Sequence, residues 1–261
     1  MRFHALVFAP LLAVAQAEVV EDWTYAAVAP GLRTPTQWGD THAICGGQRQ
    51  SPIDIVAPML KGVAVQAPPL TFAGTCPQFN VTQHYDAYKA EVIGGSCTVA
   101  LQNETFAFAQ AHFHAPSEHK INGRVMDGEA HFVHKGSNAR LLVVGMFLES
   151  TGCGETEGFA AKLVDALDDA KEHHPVTASL GSFHTLLHAG IKAGRTFNYA
   201  GSLTTPNCDE IVDWWVIEKP VKVTADEMAK LRREMKRISA ADNGRNARPT
   251  QPLHGRQVTI Y

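Results

Sequence analysis

Two short stretches, residues 110–119 and 129–134, constrain this chain more than anything else in it. In a strand successive side chains alternate faces, so Gln110, His112 and His114 share one face while Phe113 points the other way. By the same period, Glu129, His131 and Val133 share a face. If the two strands pair as a hairpin across Asn122-Gly123, a third imidazole arrives beside the first two. Three neutral imidazoles bind zinc at ~2.0–2.1 Å and leave a fourth tetrahedral position for water. Gln110 and Glu129 then stand where they accept hydrogen bonds from the ring N–H groups that face away from a metal. His-x-His in a strand also arises from packing or surface placement, so the pattern alone leaves both readings open. His119 and His134 lie outside the same-face set and read as structural partners in the core.

The rest of the chain supports a strand-rich fold. Short segments alternate apolar and polar residues, punctuated by turn-formers at Gly94-Gly95, Asn122-Gly123, residues 152–154 and Pro206-Asn207. Residues 141–148 form the continuous apolar run of a central, doubly covered strand. Two segments read as helices. Residues 157–171 carry Phe159, Leu163, Ala166 and Leu167 at helical spacing, and residues 224–235 open with the capping box Thr224-x-x-Glu227. There is no internal repeat or dividing linker, so the expectation is one β-rich α+β domain from about residue 20 onward.

Hydrophobic residues make up 45% of the 261 residues and charged residues 19%, enough apolar material for a core. The net charge of −3 with no basic block gives no support to nucleic-acid binding. No run approaches the ~18–20 apolar residues of a membrane span. Residues 1–17 read as an export signal: Arg2, an apolar stretch broken by Pro10, then Ala15-Gln16-Ala17 before Glu18. The residues before Tyr261 are polar and basic, unlike the apolar tail of a lipid anchor. Asn80-Val81-Thr82 and Asn103-Glu104-Thr105 fit the glycosylation sequon. The five cysteines include no C-x-x-C pair, which suits an oxidising compartment better than a thiolate metal site. The odd count leaves at least one thiol unpaired or paired between chains, and spacing makes Cys76 with Cys97, across neighbouring strands, one candidate bridge that would leave Cys153 free.

Several separate segments resemble the α-carbonic anhydrase family. These are Trp23-Thr24-Tyr25 with residues 45–55, His112 to His119, Glu129 to His134, Gly201-Ser202-Leu203-Thr204-Thr205-Pro206, and Asn246-Ala247-Arg248-Pro249 with Gln251-Pro252-Leu253. They occur in order over nearly all of residues 18–261. The resemblance implies a single domain built on a large, mostly antiparallel, twisted central sheet with peripheral helices. It also implies reversible hydration of carbon dioxide to bicarbonate and a proton by attack of zinc-bound hydroxide. His112, His114 and His131 match the zinc ligands; Gln110, Glu129 and Asn246 match the residues that support them. Thr204 matches the hydroxyl that accepts from the hydroxide and donates to Glu118, orienting the nucleophile. Val133, Val143, Leu203, Trp214 and Thr205 match the substrate pocket. Zinc lowers the pKa of bound water to ~7, the established value for this enzyme class rather than one worked out from this chain. Cys45 and Cys208 match the half-cystines of secreted members, and Ser51-Pro52 matches a cis-proline.

The chain departs from the family at three places. Asp86 occupies the position where many members carry a proton-relay histidine; His84, two residues earlier, can serve instead because imidazole titrates near neutrality, while a turn histidine is as commonly just solvated. Lys89 stands where a neutral polar residue is common. Asn207 replaces a second proline that follows a cis bond, and since a non-proline cis bond costs roughly 2.5–4 kcal/mol, a trans bond is expected there. An inactive relative serving as an extracellular binding or matrix protein is the main alternative. Such relatives typically lose a zinc histidine, and none is lost here. A zinc esterase would need a roomier pocket than Val143 and Leu203 allow, and a structural zinc site would need a fourth protein ligand. Nothing in the sequence sets an oligomeric state.

Overall fold

The computed structural model describes residues 21–57, 66–152, 158–172, 174–181 and 183–261. The export-signal reading of residues 1–17 and Cys153 both fall outside them. The short helix α1 (Trp38–Thr41) and a 3-10 turn (Ala43–Gly46) precede the strands β1 (Asp54–Ile55), β2 (Leu70–Gln83), β3 (Tyr88–Leu101) and β4 (Glu104–His114). Then come β5 (Lys120–Ile121), β6 (Gly128–Lys135), β7 (Leu141–Thr151), helix α2 (Gly158–Leu167) and β8 (Val176–Ser179). Helix α3 (Phe183–Ala193), β9 (Thr196–Gly201), β10 (Val212–Thr224), α4 (Ala225–Met235) and β11 (Thr259–Ile260) complete the order.

Nine strands form one sheet in the order β11-β9-β10-β7-β6-β4-β3-β2-β8, while β1 and β5 pair separately. Every pairing in the large sheet is antiparallel except β10 with β7. The apolar run expected as a central strand is β7, which lies between β6 and β10 and is buried from Leu142 through Leu148. One face of the sheet packs against Leu163 and Leu167 of α2, Phe183 and Leu187 of α3, and Met228 and Leu231 of α4. The other carries a smaller apolar cluster, Val133, Val143, Phe147, Tyr199, Val212 and Trp214. The capping box at Thr224 is present, its side chain and that of Glu227 each accepting from the other's backbone N–H. Helix α3 was not anticipated, although Phe183 and Leu187 stand one helical turn apart on its buried side.

Strict alternation does not hold along β2, β3 and β4. In β4, Phe106 and Phe108 face the helices, yet so do Ala111 and Phe113. The parity changes at Ala109, where Phe108 pairs with His134 but Gln110 pairs with Val133. This bulge re-aims Gln110, His112 and His114 onto the face opposite the helices. Register shifts also interrupt β2 between Thr75 and Phe79 and the β3–β4 pairing between Glu91 and Thr98. Without the bulge at Ala109 the histidines would sit in the helix-covered core.

Both expected disulfides are present, Cys45–Cys208 and Cys76–Cys97. Ser51-Pro52 is cis, and so is Ala115-Pro116. The expectation of a trans bond at Pro206-Asn207 is wrong: that bond is cis. The flanking contacts define the loop there more tightly than local preference does. Cys208 is bonded to Cys45, its backbone N–H donates to Thr205 O at 2.7 Å, and the backbone N–H of Leu203 donates to Asp209 O at 3.0 Å.

Candidate metal centre

The antiparallel register sets His112 directly opposite His131, with His114 opposite Glu129. One ring nitrogen of each of His112, His114 and His131 lies within 4.8 Å of the others. The opposite nitrogens are all engaged. His112 Nδ1 is 2.8 Å from Gln110 Oε1, His114 Nδ1 is 2.6 Å from the Asn246 carbonyl, and His131 Nε2 is 2.9 Å from Glu129 Oε1. Each outer nitrogen donating to an oxygen leaves a lone pair on the inner one: Nε2 of His112 and His114, and Nδ1 of His131. The inner Nε2 of His114 is buried with no hydrogen-bond partner, as a ligand atom awaiting a cation is. Burial, chiefly, holds all three imidazoles below their ordinary pKa, so they are neutral at pH 7. A neutral three-imidazole set with fixed tautomers fits zinc.

The supporting residues stand where the sequence puts them. Gln110 and Glu129 accept from the rings as expected, while Asn246 acts through its backbone carbonyl. Its side chain accepts from Ala115 N–H at 3.0 Å and donates to Phe113 O at 3.0 Å, fixing the strand end beside His114. Glu129 is buried and accepts from His131, His119 and two backbone amides. Burial raises its carboxyl, but the neighbouring His119 and His131, each hydrogen-bonded to it, outweigh this and hold it well below the usual range. His119 continues the chain to the Tyr199 hydroxyl at 2.6 Å, which donates to Ser51 Oγ at 2.9 Å. His134 is buried against Phe108 and Phe183, with ring centroids at 5.1 and 6.0 Å. Both histidines are thus the core partners the alternation suggested.

Glu118 is buried, with Oε2 3.5 Å from His114 Nε2 and Oε1 accepting the backbone N–H of Arg248 at 2.8 Å. Burial raises its carboxyl to about 7, opposed by nearby His131 and by hydrogen bonds from Arg248 and Thr204. Arg248 was not singled out from the sequence, yet its buried guanidinium donates to Gln50 Oε1, Ser51 O and Cys45 O. A buried arginine whose guanidinium serves three acceptors within residues 45–51, about 200 residues away, has no local sequence signal.

A cavity of about 340 Å³ opens above His112 and His131. Val133, Leu141, Val143, Leu203 and Trp214 form its apolar wall, with Thr204 and Thr205 on the loop beside it. His84, Asp86, Lys89, Glu91 and Lys135 form the polar side. Lys89, opposite His112 in register, makes an ion pair with Asp86 at 3.1 Å. His84 Nε2 is buried without a hydrogen-bond partner, and burial, with a contribution from Lys89, lowers its pKa.

Sheet and site together set a three-histidine cluster, a candidate metal centre, at the floor of a cavity on the face of a large, mostly antiparallel sheet opposite the helices. The chain belongs to the carbonic anhydrases: residues 33–261 match the family described as eukaryotic-type carbonic anhydrase. A carbonic anhydrase of Pectobacterium atrosepticum is 30% identical over 233 residues, covering 87% of this chain and 88% of that protein. Among solved structures, the α-carbonic anhydrase of Photobacterium profundum superposes with a TM-score of 0.72 at 27% identity, covering 90% of this chain and 99% of that one. The α-carbonic anhydrase of Thermovibrio ammonificans in complex with the inhibitor sulfanilamide gives 0.71 at 29% identity, covering 90% and 97%. Among the described residues, no helix is long and apolar enough to cross a membrane.

Proposed function

We propose that the chain catalyses zinc-dependent, reversible hydration of carbon dioxide, with His112, His114 and His131 as the zinc ligands. The observation that carries this reading is the donor set itself. Three neutral imidazoles converge, each outer nitrogen is engaged by an oxygen, and one buried inner nitrogen has no partner. Zinc, when bound, supplies the Lewis acidity that lets water ionise near neutral pH.

The chain's own residues do the rest. Gln110, Glu129 and the Asn246 carbonyl hold the ligand tautomers, so binding needs no ring reorientation. Thr204, which lines the cavity beside Glu118, donates to that carboxylate and accepts from the nucleophile, and so selects one orientation of the nucleophile's proton. Val133, Val143, Leu203 and Trp214 give carbon dioxide an apolar wall, the fitting receptor for an uncharged, weakly polar molecule. Thr205 faces the same space on the loop side. His84, lining the polar side, carries the product proton outward, because imidazole exchanges protons readily near neutral pH. The Cys45–Cys208 bridge anchors the loop that bears Thr204.

Two disulfides support an exported protein, with residues 1–17 as the signal and residues 18–261 as one enzyme domain. If export passes a glycosylating pathway, Asn103 is the acceptor, since it is exposed in the β3–β4 turn while Asn80 sits within β2 and accepts from Thr177. The test is stopped-flow carbon dioxide hydration with zinc measured on the same sample. Activity with about one zinc per chain, lost on chelation and in His131→Ala, is expected. A folded, zinc-loaded but inactive protein would favour the binding-protein reading, and failure to bind zinc would overturn the proposal.

A further inference from the structure

His42 lies outside the cavity, between α1 and the 3-10 turn that carries Cys45. Its imidazole joins two segments distant in sequence. Nδ1 is 2.8 Å from Asn207 Oδ1, on the loop that follows Thr204, and Nε2 is 2.9 Å from Asp22 Oδ1, on the N-terminal segment. Asn207 is the residue that departs from the family's second proline. We propose that His42 is a positioning residue for the Thr204 loop, tying it to the N-terminal segment through two donated hydrogen bonds that exist together only when the ring is protonated. The geometry is independent of the zinc-enzyme reading; the consequence for catalysis rests on it.

Both contacts are to oxygens, and a neutral imidazole carries one N–H and one lone pair. With Nε2–H given to the Asp22 carboxylate, a neutral ring sets its Nδ1 lone pair against the Asn207 oxygen, and lone pair meets lone pair. The amide must then turn over to present its NH₂, or the contact is lost. The imidazolium satisfies both partners at once. The charged groups acting on His42 are Asp22 and, less strongly, Glu21, both on the N-terminal segment; the loop presents the neutral Asn207 amide. Burial pushes the ring's pKa down, but the Asp22 and Asn207 hydrogen bonds and these two charges together lift it above its ordinary value. Asp22 is lowered in turn, first through its hydrogen bond from His42.

The sign follows. The doubly bonded form is complete below the ordinary histidine value of 6.5 and is lost as pH rises through the raised value in the folded chain. On the acid side it persists until Asp22 protonates, below its ordinary 3.8. The other anchors of the loop stay in place across neutrality: the Cys45–Cys208 bond, Gln50 Nε2 on Cys208 O at 3.2 Å, and the Arg49 backbone N–H on Glu210 Oε1 at 2.6 Å. Release at His42 therefore loosens one side of the loop and does not detach it.

The test is nuclear magnetic resonance on the full zinc-loaded chain, with readouts that need no catalysis. The His42 ring is followed through its Cε1 shift, and loop opening through exchange of the Cys208 amide, which closes on Thr205 O. His42 is expected to titrate above 6.5. Opening at Cys208, corrected for intrinsic exchange, is expected to rise about three- to tenfold between pH 6 and 8.5, the size of one partly exposed charge-assisted bond. His42→Gln should abolish that rise, and Asn207→Asp, which offers only acceptors, should move the His42 midpoint upward. A flat profile in the parent chain, a rise that survives in His42→Gln, or an unmoved midpoint in Asn207→Asp would overturn the proposal. Because none of these readouts depends on turnover, an inactive but zinc-loaded chain would refute the enzyme reading and leave the clamp standing.

Discussion

Glu129→Gln changes a single atom and is expected to weaken zinc binding through a proton held on the wrong ring nitrogen. The carboxylate is buried among four donors. Oε2 accepts the backbone N–H groups of Glu118 and His119 at 2.9 and 2.8 Å; Oε1 accepts His119 Nδ1 at 2.7 Å and His131 Nε2 at 2.9 Å. Glutamine offers one oxygen and one NH₂, so two of the four donors meet another donor whichever way the amide turns. The backbone amides cannot adapt, and leaving both unsatisfied costs about 1–3 kcal/mol each. The rings can adapt, so the favoured arrangement keeps the oxygen on the backbone and sets NH₂ against the two imidazoles. His131 then carries its proton on Nδ1, the nitrogen that faces the metal position. Binding zinc must return that proton to Nε2, against the NH₂, which restores one donor–donor conflict of about 1.5–3 kcal/mol. At about 1.4 kcal/mol per decade this is a loss of roughly 10- to 100-fold in affinity, the range typical of residues that support metal ligands. Competition with a chromophoric chelator measures it, alongside a thermal melt to establish folding. A folded variant whose zinc affinity stays within about twofold of the parent would refute the tautomer argument.

Further outcomes are expected elsewhere. The Cys45–Cys208 bridge spans 163 residues and Cys76–Cys97 spans 21, so chain entropy gives about 5 and about 3 kcal/mol respectively. Urea denaturation of the two double-alanine variants should show the larger loss for the first, and a reversed order would contradict this. Burial lowers the His134 imidazole to about 3, so the unfolded chain binds a proton below pH ~6.5 that the native chain refuses. The resulting stability is complete above that pH and is lost as pH falls toward 3; His134→Phe should flatten the slope by up to ~1.4 kcal/mol per pH unit, and an unchanged slope would sink the assignment. His84→Ala should lower turnover in weak buffer and recover with added imidazole, while identical rates in both conditions would remove His84 from the proton path. Val143→Phe, filling the apolar wall, should cut carbon dioxide turnover by about 100-fold with zinc content unchanged; near-normal turnover would place the substrate elsewhere.

Much of the site was legible along the chain because its parts are local. His-x-His and Glu-x-His have the two-residue period of a strand, so ligand and supporting carboxylate share a face wherever the strand lies. The turn at Asn122-Gly123, with φ of +51° and +77°, is also written locally, in two residues that tolerate the left-handed region. The capping box at Thr224 and Glu227 is of the same kind, two side chains one turn apart that close on each other's backbone. Even the pairing of Cys45 with Cys208 came from family resemblance, not from any local signal.

What the tertiary structure alone decided involves residues that meet from far apart. The bulge at Ala109 reverses the parity of β4, and only pairing with β6 reveals it. Tyr199 and Ser51 extend the His131–Glu129–His119 chain across three segments, and Arg248 joins Glu118 to Gln50 and Cys45. The cis bond before Asn207 goes against the local preference for trans and is accompanied by a disulfide to residue 45 and a hydrogen bond from His42. Backbone period and capping depend on neighbours within a few residues, so a sequence states them directly. Buried polar groups must find partners wherever the fold supplies them, and those partners are set by packing.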